Sequence, residues 1–474
     1  MKKRARLRSR PRSIAMIVMK FGGTSLEDAA ALGRVAAIVA SRAKRAPLVV
    51  VSAMGKTTDR LLEIGRTAAG GDRARALELL DELRAYHVEH ARAVAQGKDL
   101  NALKDFFDEH FQELDALVKG LVVMGELTPR SIDAISSFGE RLSSYVATLA
   151  IRKAGVEAER VDSREVIVTT DAHTAAEPVM EETERRLTTN VAPRLGEDRA
   201  IVMGGFIAST LGGVTSTLGR GGSDYTASLA GAAMDAEEVE IWTDVDGVMT
   251  ADPSLVDDAH RIRVLSFAEA SELAYFGARV LHPSTMRPAV EKEIPIRVLN
   301  SRRPETEGTL IVEETPKSSS IVKSIAYKEN ITVVDIRSTR MLMAHGFLAH
   351  VFKAFETFET AVDMVTTSEV SVSLTVDKPG RLPEIIRQIE EEEVAEVSRR
   401  NGQAIVCVVG DGIRHTDGIS ARIFSALTDI HIAMISLGAS RLNVSFVVDE
   451  SDLDEVIRRL HAEFFAEVDP AVFG

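Results

Sequence analysis

Short apolar runs that stop at glycine-rich polar turns alternate with helical stretches through the first three hundred residues. IVMKF at 17–21 ends in Gly22-Gly23-Thr24-Ser25, and LEDAAALGRVAAIVASRAKR takes up a helical repeat at once. PLVVVSAM is followed by TTDRLLEIGRTAA, and VEAERVDS, AIVMGGFIAS, VEIWTDVDGVMTADP and IPIRVLNS are further strand-like runs with helical stretches between them. Strands that alternate with helices predict an α/β fold with a parallel sheet. Residues 74–124 instead carry two long amphipathic patterns, which predict a helical elaboration beside that sheet. FAEASELAYFGARVLHP reads as one helix. Near 300–322 the texture turns loop-like, in SRRPETEGT and ETPKSSS, so the first domain is expected to span 16–315.

The last third has another rhythm. Two copies of a βαββαβ unit are expected, over 331–404 and 405–474, the second able to borrow a strand from 321–330; DMVTTSEVSVSLTVD and AMISLGASRLNVSFVVD are the matching halves. AEVSRR and QAIVCVVG read as separate strands. Such small units pair sheets and hold small ligands between them.

Charge and composition narrow the partners. The chain of 474 residues carries a net charge of −14, with no basic stripe interleaved with aromatics, which argues against nucleic acid. No apolar run has the roughly 18–20 residues that span a membrane. One cysteine, Cys407, excludes an internal disulfide and fits a reducing, cytoplasmic setting. The start, MKKRARLRSRPRS, is basic without an apolar segment, so it is no secretory signal; residues 1–15 are expected to be a disordered tail, with Met16 as an alternative start and a transit peptide, for which it is short and poor in serine, as the rival.

Four stretches gather polar residues and glycine at strand ends: KFGGTS, SAMGKTTD, LGRGGSDYTA and IWTDVDG. In an open α/β sheet, ligands bind outside the carboxyl ends of the strands, so the four are expected on one edge. At the first, Lys20, two glycines and a helix start point to an anion such as phosphate; the alternative is a tight turn capped by Thr24 or Ser25. SAMGKTTD is not a P-loop, because Val50 stands where that motif needs glycine. DVDGVMTAD lacks the third acid and the distal glutamate of a calcium loop. His87 and His90, on one helical face, have no third ligand in sight and read as a solvated face; no metal site is expected. Lysine, arginine, backbone donors and carboxylates on one sheet edge suit phosphoryl transfer, where catalysis is positioning and charge neutralisation.

KFGGTS, SAM–TTD, SFGERLS, GGFIAS, TLGRGGSDYTA, WTDVDGVMTADP and AYFGARVLHP occur in that order, and together they resemble the signature of aspartate kinase, of the amino-acid-kinase superfamily. The C-terminal repeats resemble its paired ACT domains, and TTSEVSVSLTVD its lysine-sensitive branch. The resemblance implies a three-layer αβα sandwich with two ACT domains. It implies phosphorylation of the β-carboxylate of L-aspartate by ATP, with Mg²⁺, at the head of lysine, threonine and methionine synthesis. Lys20, Arg220 and Asp224 are then catalytic. Arg220 grips the aspartate α-carboxylate, Glu140 takes its amino group, and Ser52, Thr58 and Phe206 complete the pocket. Lys20, Gly22, Gly23, Ser25, Thr243, Asp244, Met249, Ser254 and Arg279 fall on the nucleotide side; Met249, Ser254 and Arg279 replace a common tyrosine, arginine and lysine. In the first repeat, Gly346 opens a helix whose N–H groups suit a carboxylate, and Asp363 and Glu369 supply counter-charges. By resemblance, Met341, Leu348, Asp363, Thr367, Ser368 and Glu369 line an inhibitory L-lysine site at a homodimer interface, with Ala344 replacing a serine. Solvated strand-end acids are the alternative for Asp363 and Glu369. Another small-acid kinase of the superfamily, or a non-catalytic ACT sensor, are the rival functions.

Overall fold

The computed structural model describes residues 16–277, 283–316, 318, 320–338, 341, 345–393 and 395–474. It divides into two compact units, one holding the chain up to Gly247 with Ser284–Glu313, the other Val248–Pro283 with Glu314–Gly474. No helix among the described residues is long and apolar enough to cross a membrane.

The strands of the first unit, numbered along the chain, are β1 (Ile17–Phe21), β2 (Pro47–Val51), β3 (Glu157–Val161), β4 (Val168–Thr169), β5 (Arg199–Gly204), β6 (Ile207–Thr210), β7 (Thr215–Thr217) and β8 (Glu238–Thr243). After β9 (Val264–Ser266), which falls in the second unit, come β10 (Ile296–Asn300) and β11 (Thr309–Val312). Within the unit the main sheet runs β3-β5-β2-β1-β8-β10-β11, and every pair is parallel except β10 with β11. A strand covered on both faces can be apolar throughout, which is why β1 and β2 are buried along their whole length. From β1 the chain passes to β2 on one side, and after β8 the next strand of the sheet is β10 on the other. The crevice beyond β1 and β8 is therefore a topological switch point. Phe21 and Trp242, in register on those two strands, stack at 5.9 Å beneath it. A small sheet, β4-β6-β7, stands apart.

The helical elaboration is present as Arg73–Val94 and Asp99–Met124, whose Leu80, Leu83, Phe107, Phe111 and Leu114 join the main core. His87 departs from the expected solvated face. It is fully buried, its Nδ1 lies 2.9 Å from the Leu83 carbonyl, its ring meets Phe111 edge-on, and burial pushes its pKa down to about 4. Helix–helix packing brought in a second wall that the single-helix pattern does not reveal. Among the described residues no group of three or more His, Cys, Asp or Glu could hold a metal ion.

The second unit carries one six-stranded sheet made of β12 (Ser324–Arg337), β13 (Val365–Thr367), β14 (Ser371–Val376), β15 (Glu396–Val409), β16 (Ile432–Leu437) and β17 (Asn443–Asp449), in the order β13-β14-β12-β15-β17-β16. The two strands expected at 395–400 and 403–410 are the single strand β15. It pairs antiparallel with β12 along nearly its whole length, with register shifts around Ile331. Residues 332–337 of β12 face β14, while the far half of β15, from Gln403, faces β17, so the repeats share their two central strands. Cys407 is buried on β15, and that burial raises its thiol pKa. The helix expected over FAEASELAYFGARVLHP is broken. A capping box of Ser266 and Glu269 starts Phe267–Tyr275, and the chain then reaches Gly277 at φ 109°, where a Cβ would lie 2.0 Å from the Tyr327 carbonyl oxygen. Pro283–Glu291 is a second helix.

Candidate active site

The carboxyl ends of β1, β2 and β5 and the start of the helix Gly222–Ala233 enclose a cavity of about 270 Å³. Of the residues singled out in the sequence, Lys20, Gly23, Ser52, Thr58, Glu140, Phe206 and Asp224 line it, joined by Ser223 and the glycines 219, 221 and 222.

Lys20 Nζ lies 2.6 Å from Asp224 Oδ1, with side chains 11% and 17% exposed. The pair meets charge to charge without a hydrogen-bond angle, since Asp224 Oδ1 has no hydrogen-bond partner among the described residues. Each charge is partly desolvated and compensated by the other. Gly221, at φ 72°, caps the helix that presents Asp224 in its first turn. Segments converge here because glycine lets backbone meet backbone: a Cβ on Gly205 would sit 2.6 Å from the Ser223 Cα, and one on Gly204 would sit 2.9 Å from the Glu140 Cβ.

Glu140 opens its helix from inside the protein, only 3% exposed. Its Oε1 accepts the Ala53 N–H at 3.0 Å, and its Oε2 has no partner among the described residues. Desolvation pushes its pKa up to about 8, against the hydrogen bonds that favour the ion. A buried carboxylate with an open oxygen on a cavity is a receptor for a cation.

KFGGTS is built differently from a phosphate-binding helix start. Gly23–Ser25 is a short turn, and the helix begins only at Ala29, capped by Asp28, which accepts the Ala31 N–H at 2.7 Å. Asp28 outcompetes Thr24 and Ser25 because its carboxylate is nearer the helix and charged. The Gly22 N–H goes to the Trp242 carbonyl and the Ser25 hydroxyl lies 2.8 Å from Ser301 Oγ. Gly23 serves a close crossing: its Cβ would lie 2.9 Å from the Gly55 carbonyl oxygen. Gly22 and Ser25 do not line the cavity, nor do Thr243 and Asp244, which are linked hydroxyl to carboxylate at 3.2 Å at the carboxyl end of β8. Arg220 is exposed outside it, between the lining glycines 219 and 221.

Met249 and Ser254 fall in the second unit, where the Met249 carbonyl accepts the Ser324 hydroxyl at 2.8 Å and the Ser254 hydroxyl turns back to Asp252 at 2.7 Å. Arg279 and Ala344 lie outside the described residues. In the first repeat Gly346, at φ 89°, opens the helix Phe347–Thr357, which bears Leu348, and Met341 packs against the core of that repeat. Asp363 is not a solvated acid. Its side chain is 4% exposed, Lys328 Nζ is 2.8 Å away, the Tyr275 hydroxyl donates at 3.2 Å, and Oδ2 has no hydrogen-bond partner among the described residues. Thr367 ends β13, Ser368 binds the Ser371 hydroxyl at 2.7 Å, and Glu369 is exposed in the same turn. Lys328 and Tyr275 were not legible as its partners, for they come from distant segments.

The amino acid kinase family profile matches residues 15–300, and an ACT domain profile matches residues 406–464. The chain is 41% identical to aspartokinase 1 (chloroplastic) of Arabidopsis thaliana, over 95% of this chain and 80% of that protein. It is 35% identical to the lysine-sensitive aspartokinase 3 of Escherichia coli, over 95% of this chain and 99% of that protein. The chain belongs to the aspartokinase family. Its structure aligns with E. coli aspartokinase III in complex with aspartate and ADP at a TM-score of 0.82 and 34% identity, covering 95% of this chain and 100% of that one. The alignment with the lysine and aspartate complex gives 0.79 and 35%, with the same coverage. Both alignments cover nearly the full chain, so the likeness extends beyond the amino acid kinase profile through the C-terminal repeats.

Proposed function

We propose that the cavity binds L-aspartate beside the terminal phosphate of ATP and transfers that phosphate to the β-carboxylate, giving 4-phospho-L-aspartate and ADP. The observation that carries this reading is the open, buried oxygen of Glu140 in the same cavity as the Lys20–Asp224 pair. Glu140 receives the substrate ammonium, which replaces the missing partner of Oε2. Arg220 swings inward on its flanking glycines to take the α-carboxylate, two parallel hydrogen bonds fixing its direction. Ser52, Thr58 and Phe206 bound the remainder of the pocket.

The β-carboxylate is ionised at neutral pH and attacks the γ-phosphorus without a base. Repulsion between two anions is the obstacle, and Lys20, held at the strand end by Asp224, offsets the charge that they share in the transition state. Mg²⁺ enters with the nucleotide as part of the substrate. Thr243, Asp244, Met249, Ser254 and Arg279 serve the nucleotide, with Gly23, which lines the cavity, on the phosphate side. Residues 16–315 carry catalysis, and the ACT repeats at 331–404 and 405–474 regulate it as a homodimer. There Met341, Leu348, Asp363, Thr367, Ser368 and Glu369 receive L-lysine as feedback inhibitor, at the head of lysine, threonine and methionine synthesis.

ADP release coupled to hydroxamate trapping tests the reading. Acyl phosphate is expected with L-aspartate and not with glutamate or carbamate, and lysine, not threonine, is expected to suppress it. No ADP release with any acceptor overturns it.

A further inference from the structure

We infer that Asp133 is a positioning residue that sets the spacing of the amino-acid pocket, acting through His173 and Thr217. Asp133 is fully buried in the helix Pro129–Ser136, and its carboxylate accepts three donors from distant segments. His173 Nδ1 donates to Oδ2 at 2.6 Å and the Thr217 hydroxyl to Oδ1 at 2.5 Å, while the Thr174 N–H is shared between both oxygens at 3.0 and 3.1 Å. Thr174 is held at φ 73°, an arrangement that an unsupported threonine disfavours. A desolvated carboxylate is tolerated only when fully hydrogen-bonded, so this one fixes the geometry of whatever donates to it.

What it fixes are two walls of the cavity. On one side, the Asp133 carbonyl accepts the Ser137 N–H at the junction with the helix Phe138–Lys153, which bears Glu140. On the other, the loop around Thr174 lies backbone to backbone on Gly219: a Cβ there would sit 3.1 Å from the Thr174 carbonyl oxygen and 3.3 Å from the Ala175 Cα. Gly219 in turn accepts the Gly222 N–H at 3.0 Å, closing the turn that carries Arg220 and opens the helix of Ser223 and Asp224. Thr217, two residues earlier, is tied to Asp133 directly. The inference rests on the reading that Glu140 and Arg220 hold the two ends of one amino acid, since their separation is then what Asp133 governs.

His173 is the residue to change, because its side chain is 16% exposed whereas Thr217 is buried. His173→Ala loses the donor, whereas His173→Asn places an amide nitrogen near the former Nδ1. The expected result is a KM for aspartate raised about tenfold in His173→Ala, with KM for ATP and kcat little changed, and largely restored in His173→Asn. Thr217→Val, which deletes one hydroxyl at constant shape, is expected to shift the same constant in the same direction. Hydrogen exchange on the full chain gives a readout independent of turnover: amides of 173–176 and 219–222 lose protection together in His173→Ala and regain it in His173→Asn. Equal rises in both KM values, an asparagine variant no better than alanine, or protection lost at 173–176 alone overturns the inference. An inactive wild-type enzyme would instead overturn the aspartate reading, leaving the exchange experiment to judge the coupling of the two segments.

Discussion

Glu140→Gln keeps the shape of the side chain and removes the charge that a bound ammonium would meet. In the free protein the wild-type carboxyl sits at a pKa of about 8, against an ordinary 4.5. At pH 7 it is therefore mostly neutral, and binding an ammonium at Oε2 requires it to release its proton. Aspartate affinity should rise with pH, about tenfold per unit below pH 8, then level off. In Glu140→Gln that slope disappears. At pH 8 and above, where the wild-type group is ionised, the lost charged hydrogen bond is worth about 1.5–3 kcal/mol, roughly a 10- to 150-fold higher KM for aspartate. KM for ATP should stay put. Stability gives a second, independent reading. A raised acid pKa means that the folded state binds more protons than the unfolded state between pH 4.5 and 8, so stability falls as pH rises through that window. The full shift corresponds to at most roughly 5 kcal/mol, reduced where water enters the cavity. Denaturant titrations of the substrate-free protein at pH 5 and 8.5 should show Glu140→Gln gaining on wild type at the higher pH. Equal pH slopes of KM in both proteins, or no difference between their stability profiles, would refute the reasoning.

Lys20→Ala should lower kcat by about 10²–10³-fold, the loss of roughly 3–4 kcal/mol of charge stabilisation in the transition state, and near-normal kcat in a steady-state ADP assay would remove Lys20 from the chemistry. Glu369→Ala should relieve lysine inhibition without changing uninhibited turnover, because the residue is exposed in the β13–β14 turn; an unchanged inhibition curve counts against it. His87, buried and pushed down to about 4, is neutral when folded while the unfolded residue binds a proton below about 6.5, so its contribution is present above that pH and is lost as pH falls toward 4. His87→Leu should flatten the acid side of the stability profile by up to roughly 3 kcal/mol, read by denaturant titration at pH 4.5 and 7.

The alternation of apolar runs with glycine-ended turns was enough to place a parallel sheet and to bring KFGGTS, SAMGKTTD and LGRGGSD to one edge. That follows because strand direction in such a sheet is set by connection length, a property of the chain itself. The family resemblance placed Glu140 and Asp224 in one pocket, and both line the cavity, Asp224 from the first turn of a helix capped by Gly221. The sequence did not reveal that the helix after KFGGTS starts at Asp28, because several neighbouring residues can cap a helix and only the packed turn selects one. Nor did it reveal that β12 and β15 run unbroken through both repeats, since pairing between strands more than fifty residues apart depends on long-range register. His87 was misread for the same reason: periodicity gives a helix one face, and a second helix packed against the other side gives it two. Asp363 reads as a strand-end acid until Lys328 and Tyr275 arrive from elsewhere in the chain. Asp133 is the sharpest case. In SIDAIS it is one acid in a short helix, and its meaning lies wholly in three donors brought from 173–174 and 217, which only tertiary structure can assemble around a buried charge.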